Sequence, residues 1–298
     1  MKTKYPRPFD IKELFIYFIH EREKARNRKM AGETPTSPDP IIANYRFCNV
    51  NREHDAVTLW IAENVRTLDL SHADMVLNLC AARIFNEPPV LKHVLPFKDP
   101  DRLMFKVAAL KKVGKQARIF RGAYMMPVHG NNGQGQNAVT YWCNNLKELQ
   151  KNGLTGFSTL ASVAERIRST KGFAGFLANQ VCADLRYTRF YPRAGTPDWE
   201  TYIECGPGTR RGLMRYFEMG DYGSNRLPMG RGTKGFFPDS IMEIRDEIAG
   251  DIDPILQEYF LDPNNLSNCF CEFDKFCRAL DIPEGDNRHR IALRKYTN

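Results

Sequence analysis

Twelve consecutive residues, Asn44-Tyr45-Arg46-Phe47-Cys48-Asn49-Val50-Asn51-Arg52-Glu53-His54-Asp55, place two arginines, three amides and two acids just ahead of a helical pattern. Arg46 and Arg52 suit a two-point grip on phosphate or carboxylate oxygens, and amides such as Asn49 suit base edges or diphosphate oxygens. A helix cap with a surface salt-bridge network is the plainer alternative. The polar residues are threaded around Tyr45, Phe47 and Val50, however, which suggests a semi-buried cluster, and buried charge is costly unless it is used.

Two glycine turns supply a different chemistry. One runs Lys171-Gly172-Phe173-Ala174-Gly175 and the other Cys205-Gly206-Pro207-Gly208-Thr209-Arg210-Arg211-Gly212-Leu213. A glycine turn between two helices aims backbone N–H groups outward at a helix N-terminus, where they can hold phosphate. Glycine permits both the close approach and positive φ. Lys171, Arg210, Arg211 and Arg215 are candidate phosphate contacts, against the alternatives of an ordinary helix connection and a solvated helix face. Gln180 and Asp184 stand one helical turn apart on a common face just after the first turn. Asp198 follows 23 residues after Gly175, where helical DNA-repair glycosylases carry a carboxylate that stabilises cationic character on a flipped nucleotide. An N-cap within Pro197-Asp198-Trp199-Glu200 is the equal alternative. Tyr124, in an irregular segment, could stack on an extruded base, or simply pack in a core.

The elements that must position these groups are helical. Apolar residues recur at helical spacing from Ile11 to Ile19, from a start near Arg52 through Val65, from Met75 to Ile84 ending at Pro88, and over about 99–113, 140–151, 158–170, 175–187, 209–219, 239–250, 252–261 and 266–280. Residues 32–40, 121–137 and 220–235 read as loops. No repeat or strand–helix alternation is visible. The expected fold is all-α, a single domain over 1–298 that could divide into lobes of about 1–155 and 156–298 with a cleft between them.

Composition narrows the partners. A net charge of +8 and a pI near 9.0 favour an anionic partner. The eight cysteines show no CxxC pair, and Cys269, Cys271 and Cys277 read as buried thiols in a helix rather than metal ligands. No signal peptide or membrane span is expected. Gly230-Arg231-Gly232-Thr233-Lys234-Gly235 lacks the spacing and preceding strand of a nucleotide triphosphate loop, and no zinc deaminase signature exists. No metal or cofactor is called for.

Several motifs taken together resemble one family. They are Tyr45-Arg46-Phe47-x-Asn49-Val50-x-Arg52-Glu53-x-Asp55-x-x-Thr58, Gly122-Ala123-Tyr124, Gly172-Phe173-x-Gly175-x-x-x-x-Gln180-x-x-x-Asp184-Leu185-x-Tyr187, and Gly206-Pro207-Gly208-Thr209-Arg210-Arg211-Gly212-Leu213. This set is similar to the bacteriophage α-glutamyl/putrescinyl thymine pyrophosphorylases, also described as amino acid:DNA transferases and related to the helical domain of phage 5-hydroxymethyluracil DNA kinases. The resemblance covers roughly residues 10–280.

The resemblance implies a helix-hairpin-helix, DNA-glycosylase-like bundle with irregular functional loops. It also implies displacement of pyrophosphate from 5-pyrophosphoryloxymethyl-deoxyuridine in DNA by an amino acid or polyamine, forming a C–N bond. Arg46 and Arg52 could then neutralise the leaving group, and Asp198 or Asp184 could stabilise the electron-poor methylene or deprotonate the amine. Asn49, Asp55, Gln180 and Tyr124 could hold the base. Lys171, Gly172, Gly175, Gly206, Gly208, Thr209, Arg210 and Arg211 could contact the DNA backbone. The implied partners are DNA carrying modified thymidine, an amine co-substrate and a 5-hydroxymethyluracil DNA kinase, with no membrane, in the cytoplasm of an infected bacterium. A base-excision glycosylase and a non-catalytic DNA-binding partner of such a kinase are the competing readings.

Overall fold

The computed structural model describes residues 10–113, 119, 136–219 and 235–281. Among these residues the chain is all-helical, with thirteen α-helices and no strand. It divides into two compact units, one formed by the described residues up to Arg52 with those from Cys205 onward, the other by Glu53–Glu204. The first unit begins with α1 (Ile11–Met30) and α2 (Pro40–Asn44). The second holds α3 (Ala56–Ile61), α4 (His72–Phe85), α5 (Pro88–Val94), α6 (Pro100–Val113), α7 (Gln136–Lys151), α8 (Leu160–Arg168) and α9 (Gly175–Leu185). The chain completes the first unit with α10 (Pro207–Tyr216), α11 (Phe236–Ile248), α12 (Pro254–Phe260) and α13 (Pro263–Asp281).

Aromatic packing holds the first unit together. Asp10 caps α1 by accepting from the Glu13 N–H at 2.8 Å, and the helix buries Phe15, Phe18 and Ile19. Phe15 stacks on Phe270 at 4.2 Å and Phe18 meets Phe273 and Phe276, so α1 and α13 share an aromatic seam. Helix α10 lies against α13 at very close range. A Cβ on Gly212 would come within 2.0 Å of the Phe270 carbonyl oxygen, and one on Gly208 within 2.3 Å of the Cys271 sulfur.

Helix α4 is the central element of the second unit. Its residues from Met75 to Phe85 are all buried, which is the expected fate of a helix apolar on every side. Ser71 caps its start, and Asn86 ends it in the left-handed conformation at φ 50°. The polar Asn78 is accommodated by a two-way bond with the Phe97 backbone, at 2.7 and 2.9 Å.

The helical spacing locates most elements, with three differences. Residues Arg52–His54 form a 3-10 turn, α3 then begins at Ala56, and its continuation Ala62–Arg66 is π-helical. Helices α2 and α5 both open on proline, a residue that reads in the sequence as a break. At a first helical turn proline costs nothing, because its missing N–H has no partner there in any case.

Candidate functional site

The second unit brings two distant sequence segments onto one buried polar network. Asp184 of α9 is fully buried and receives both Nε and Nη2 of Arg83 in α4, at 2.6 and 2.7 Å. The same Arg83 Nη2 donates to the Thr58 hydroxyl at 3.2 Å. Arg66, delivered by the π-helical turn, donates Nη2 to Glu53 at 2.7 Å and to the Thr58 carbonyl at 3.4 Å, and its guanidinium lies 5.3 Å from the Tyr187 ring centre. Glu53, Thr58, Asp184 and Tyr187, which belong to two separated motifs, are therefore joined through two arginines. Gln180 sits buried one turn before Asp184. Asp55 stands at the N-cap position of α3 without a capping hydrogen bond, partly exposed.

Sequence reasoning missed Arg66 and Arg83. A signal existed for Arg83, a lone charge within Cys80-Ala81-Ala82-Arg83-Ile84-Phe85, because a charge in a fully apolar helix requires a buried partner. Asp184 is correspondingly an anchor, since its carboxylate is enclosed and held at two points by Arg83.

Asp198 stands at a helix start. Its two oxygens accept the Leu160 and Ala161 N–H groups at 2.9 and 2.8 Å, so it satisfies the first turn of α8 from 38 residues away and does not cap a helix of its own. It shares that task with Thr159, whose hydroxyl accepts from the Ser162 N–H.

The first glycine turn does connect two helices, α8 and α9. Gly172 takes φ +86°, and a Cβ there would meet both the Tyr141 hydroxyl and Asn145 Nδ2 at 2.5 Å. The turn is thus pressed onto α7 while Lys171 stays exposed. Gly175 begins α9 beside Glu204, which pairs with Arg168.

The second turn departs from the expectation of a hairpin with positive-φ glycines. It follows a non-helical stretch, Tyr202–Cys205, and Gly206 caps α10 at φ −71°. Gly208 faces Cys271, and the buried Thr209 hydroxyl donates to the Ser267 carbonyl at 3.0 Å. The missing side chains here let α10 approach α13. Arg210 donates to the Cys205 carbonyl and lies 5.2 Å from the Phe237 ring, yet the residue remains exposed. Arg211, Arg215 and Arg278 all pair with the buried Asp274, at 3.0, 3.0 and 3.2 Å.

The arginine-rich segment 46–52 lies in the first unit, fixed through its main chain. The Cys48 N–H donates to Glu272, the Arg52 N–H donates to Asn265, and the Phe47 and Cys48 carbonyls accept from Arg22. The Asn49 carbonyl accepts from Asn268. Arg46 is exposed, and Asn49 and Arg52 are partly exposed, on a loop whose path is set by these bonds.

With this geometry in view, the relatives can be placed. The family model for the helical domain of 5-hmdU DNA kinase matches residues 10–284. The chain belongs to this family. A 5-hmdU DNA kinase of Bacillus phage SP10 is 25% identical over 230 residues, covering 68% of this chain and 36% of the phage protein. The chain therefore spans about a third of the length of that curated relative. No solved structure matches.

Several further features bear on chemistry. The described residues contain no group of His, Cys, Asp and Glu able to hold a metal ion, and no described helix is long and apolar enough to cross a membrane. Burial pushes the Cys182 thiol up to about 12 and raises those of Cys80 and Cys269 further, so none of these is a thiolate nucleophile at neutral pH. Tyr124 and the 230–234 part of the glycine-rich loop lie outside the described residues.

Proposed function

We propose that this chain is a transferase of phage thymine hypermodification, acting on 5-pyrophosphoryloxymethyl-deoxyuridine in DNA. In the reaction the methylene C–O bond to pyrophosphate breaks and a C–N bond to an amine forms. Pyrophosphate leaves with the bonding electrons, and the ammonium proton passes to a carboxylate. The observation that carries this reading is the convergence of Glu53, Thr58, Asp184 and Tyr187, from two distant motifs of a DNA-modifying family, on Arg66 and Arg83. Charge buried to this degree in a helical core is costly to desolvate and is offset by its pairing, which fixes the positions of both motifs.

We assign the roles residue by residue. Arg46 and Arg52, on a pinned loop, are suited to neutralise the pyrophosphate as it departs. Asp184 works as a positioning residue through Arg83. Asp55, at the head of α3 and within the arginine-rich motif, and Asp198, at the start of α8, are the carboxylates we assign to the incoming amine. Gln180 and Asn49 remain candidates for holding the base, and Lys171 and Arg210 for contacting the DNA backbone.

The test is release of pyrophosphate from DNA carrying the pyrophosphorylated base, with and without an amine panel. Amine-dependent release that Arg46→Ala and Arg52→Ala abolish, with DNA affinity retained, supports the transferase. One observation favours a second reading: the family domain forms part of a longer kinase in its phage relative, so the chain could serve as a DNA-binding partner of a kinase. That partner would bind DNA and release no pyrophosphate under any amine.

A further inference from the structure

Just beyond α9, arginines and aromatics alternate as Arg186-Tyr187-x-Arg189-Phe190-Tyr191-x-Arg193. Tyr187 is 40% exposed although it belongs to one of the motif segments. It is braced from several directions. The Arg66 guanidinium lies 5.3 Å from its centre, the Trp199 ring meets it edge to face at 5.9 Å, and its own N–H bonds the Asp184 carbonyl at 3.1 Å.

The brace is itself fixed. Arg66 is only 8% exposed and is anchored by Glu53 and Thr58, while its Nε and Nη1 are buried with no hydrogen-bond partner among the described residues. A buried cation with donors unspent is costly, and the electron-rich ring is the compensating neighbour the structure provides. Trp199 is likewise flanked by Arg186 and Arg193 at 5.6 and 5.5 Å, and its indole N–H donates to the Arg186 carbonyl. Cation–π contacts occur about once per 70–80 residues in proteins, so their concentration on Tyr187, Phe190 and Trp199 marks a built aromatic cluster, of which Tyr187 is the exposed member.

We propose that Tyr187 is a stacking platform for an unpaired nucleobase of DNA. This inference rests on the DNA reading above and adds a residue to which no role had been given. A flat ring, held rigid from the protein side and partly open to solvent, loses little freedom when a base stacks on it. Arg189 and Arg193 stand on the same segment, each in a surface pair with an acid, Asp69 and Glu200, that a DNA phosphate can displace.

The experiment measures affinity of the full chain for a duplex with one unpaired thymine and for the same duplex fully paired, in wild type, Tyr187→Phe and Tyr187→Ala. Tyr187 is exposed, and a thermal melt checks that both variants fold. We expect wild type to favour the unpaired base, Tyr187→Ala to lose about tenfold or more on that duplex alone, and Tyr187→Phe to follow wild type. Equal losses on both duplexes, no loss in Tyr187→Ala, or a Tyr187→Phe loss as large as that of Tyr187→Ala would overturn the platform. If wild type binds both duplexes equally, only the platform falls; if it binds neither, the DNA reading falls with it.

Discussion

Replacing Asp184 by alanine should destabilise the second unit severely. Asp184 is fully buried and Arg83 nearly so, and the two-point contact at 2.6 and 2.7 Å is the ion pair that satisfies the guanidinium between α4 and α9. Removing the carboxylate leaves that guanidinium enclosed without its two-point partner, while it keeps its bond to the Thr58 hydroxyl. Breaking a buried pair from one side costs about 3–5 kcal/mol, whereas replacing both members by apolar residues of similar size is often neutral or stabilising. For a domain of this size, about 2–4 °C of Tm is lost per kcal/mol, so Asp184→Ala should melt roughly 6–20 °C below wild type. The double variant Arg83→Met with Asp184→Leu should recover most of that loss. The assay is thermal and denaturant unfolding of Asp184→Ala beside wild type, Arg83→Met, Asp184→Leu and their double, the last four read as a double-mutant cycle. If Asp184→Ala melts with wild type but loses pyrophosphate release, Asp184 belongs to the chemistry and its assignment as an anchor is wrong.

Three further outcomes follow from the packing and charge described above. Gly212→Ala places a Cβ 2.0 Å from the Phe270 carbonyl oxygen, where real Cβ atoms do not approach below 3.0 Å, so α10 must back away from α13. It should cost about 3 kcal/mol in denaturant titrations, against about 0.5 or less for Gly206→Ala, which meets nothing within 4 Å. Burial raises the Glu23 carboxyl above the ordinary value of 4.5, partly offset by Arg26 and Arg22. The folded state therefore holds this proton more tightly than the unfolded chain, and the group costs stability that appears as pH rises above 4.5. Glu23→Gln should raise Tm at neutral pH and leave it unchanged below pH 4.5; a drop at neutral pH would refute this. Lys171→Ala with Arg210→Ala should weaken DNA binding and flatten the plot of log affinity against log salt by about 0.9 for each phosphate no longer neutralised. An unchanged slope would remove both residues from the DNA surface.

The helical class was legible because apolar residues at 3.6-residue spacing need no partner information. What stayed hidden was long-range. Asp184 and Gln180 were visible as one face of α9, but the answering cation, Arg83, is 101 positions away, and its own apolar surroundings signal a buried partner without saying which. Asp198 is an acid near a helix start either way, and only the fold shows that the helix it serves is α8. The glycines of the second turn were ambiguous for a physical reason. Approach to a phosphate and approach of α10 to α13 both require the absence of a Cβ, and Gly208 and Gly212 use it for the second. The π-helical turn that delivers Arg66 leaves no periodic trace, since it adds one residue to an otherwise ordinary helix.

The central claim is the transfer of an amine onto the methylene of pyrophosphorylated 5-hydroxymethyluracil. The most direct measurement is mass spectrometry of nucleosides from DNA carrying that base, digested after incubation with the protein and a panel of amino acids and polyamines. The expected result is a nucleoside heavier by one amine and lacking pyrophosphate. Unaltered nucleosides on DNA that is nevertheless bound would contradict the transferase and leave a DNA-binding partner of a kinase, and a released free base would mean glycosylase chemistry.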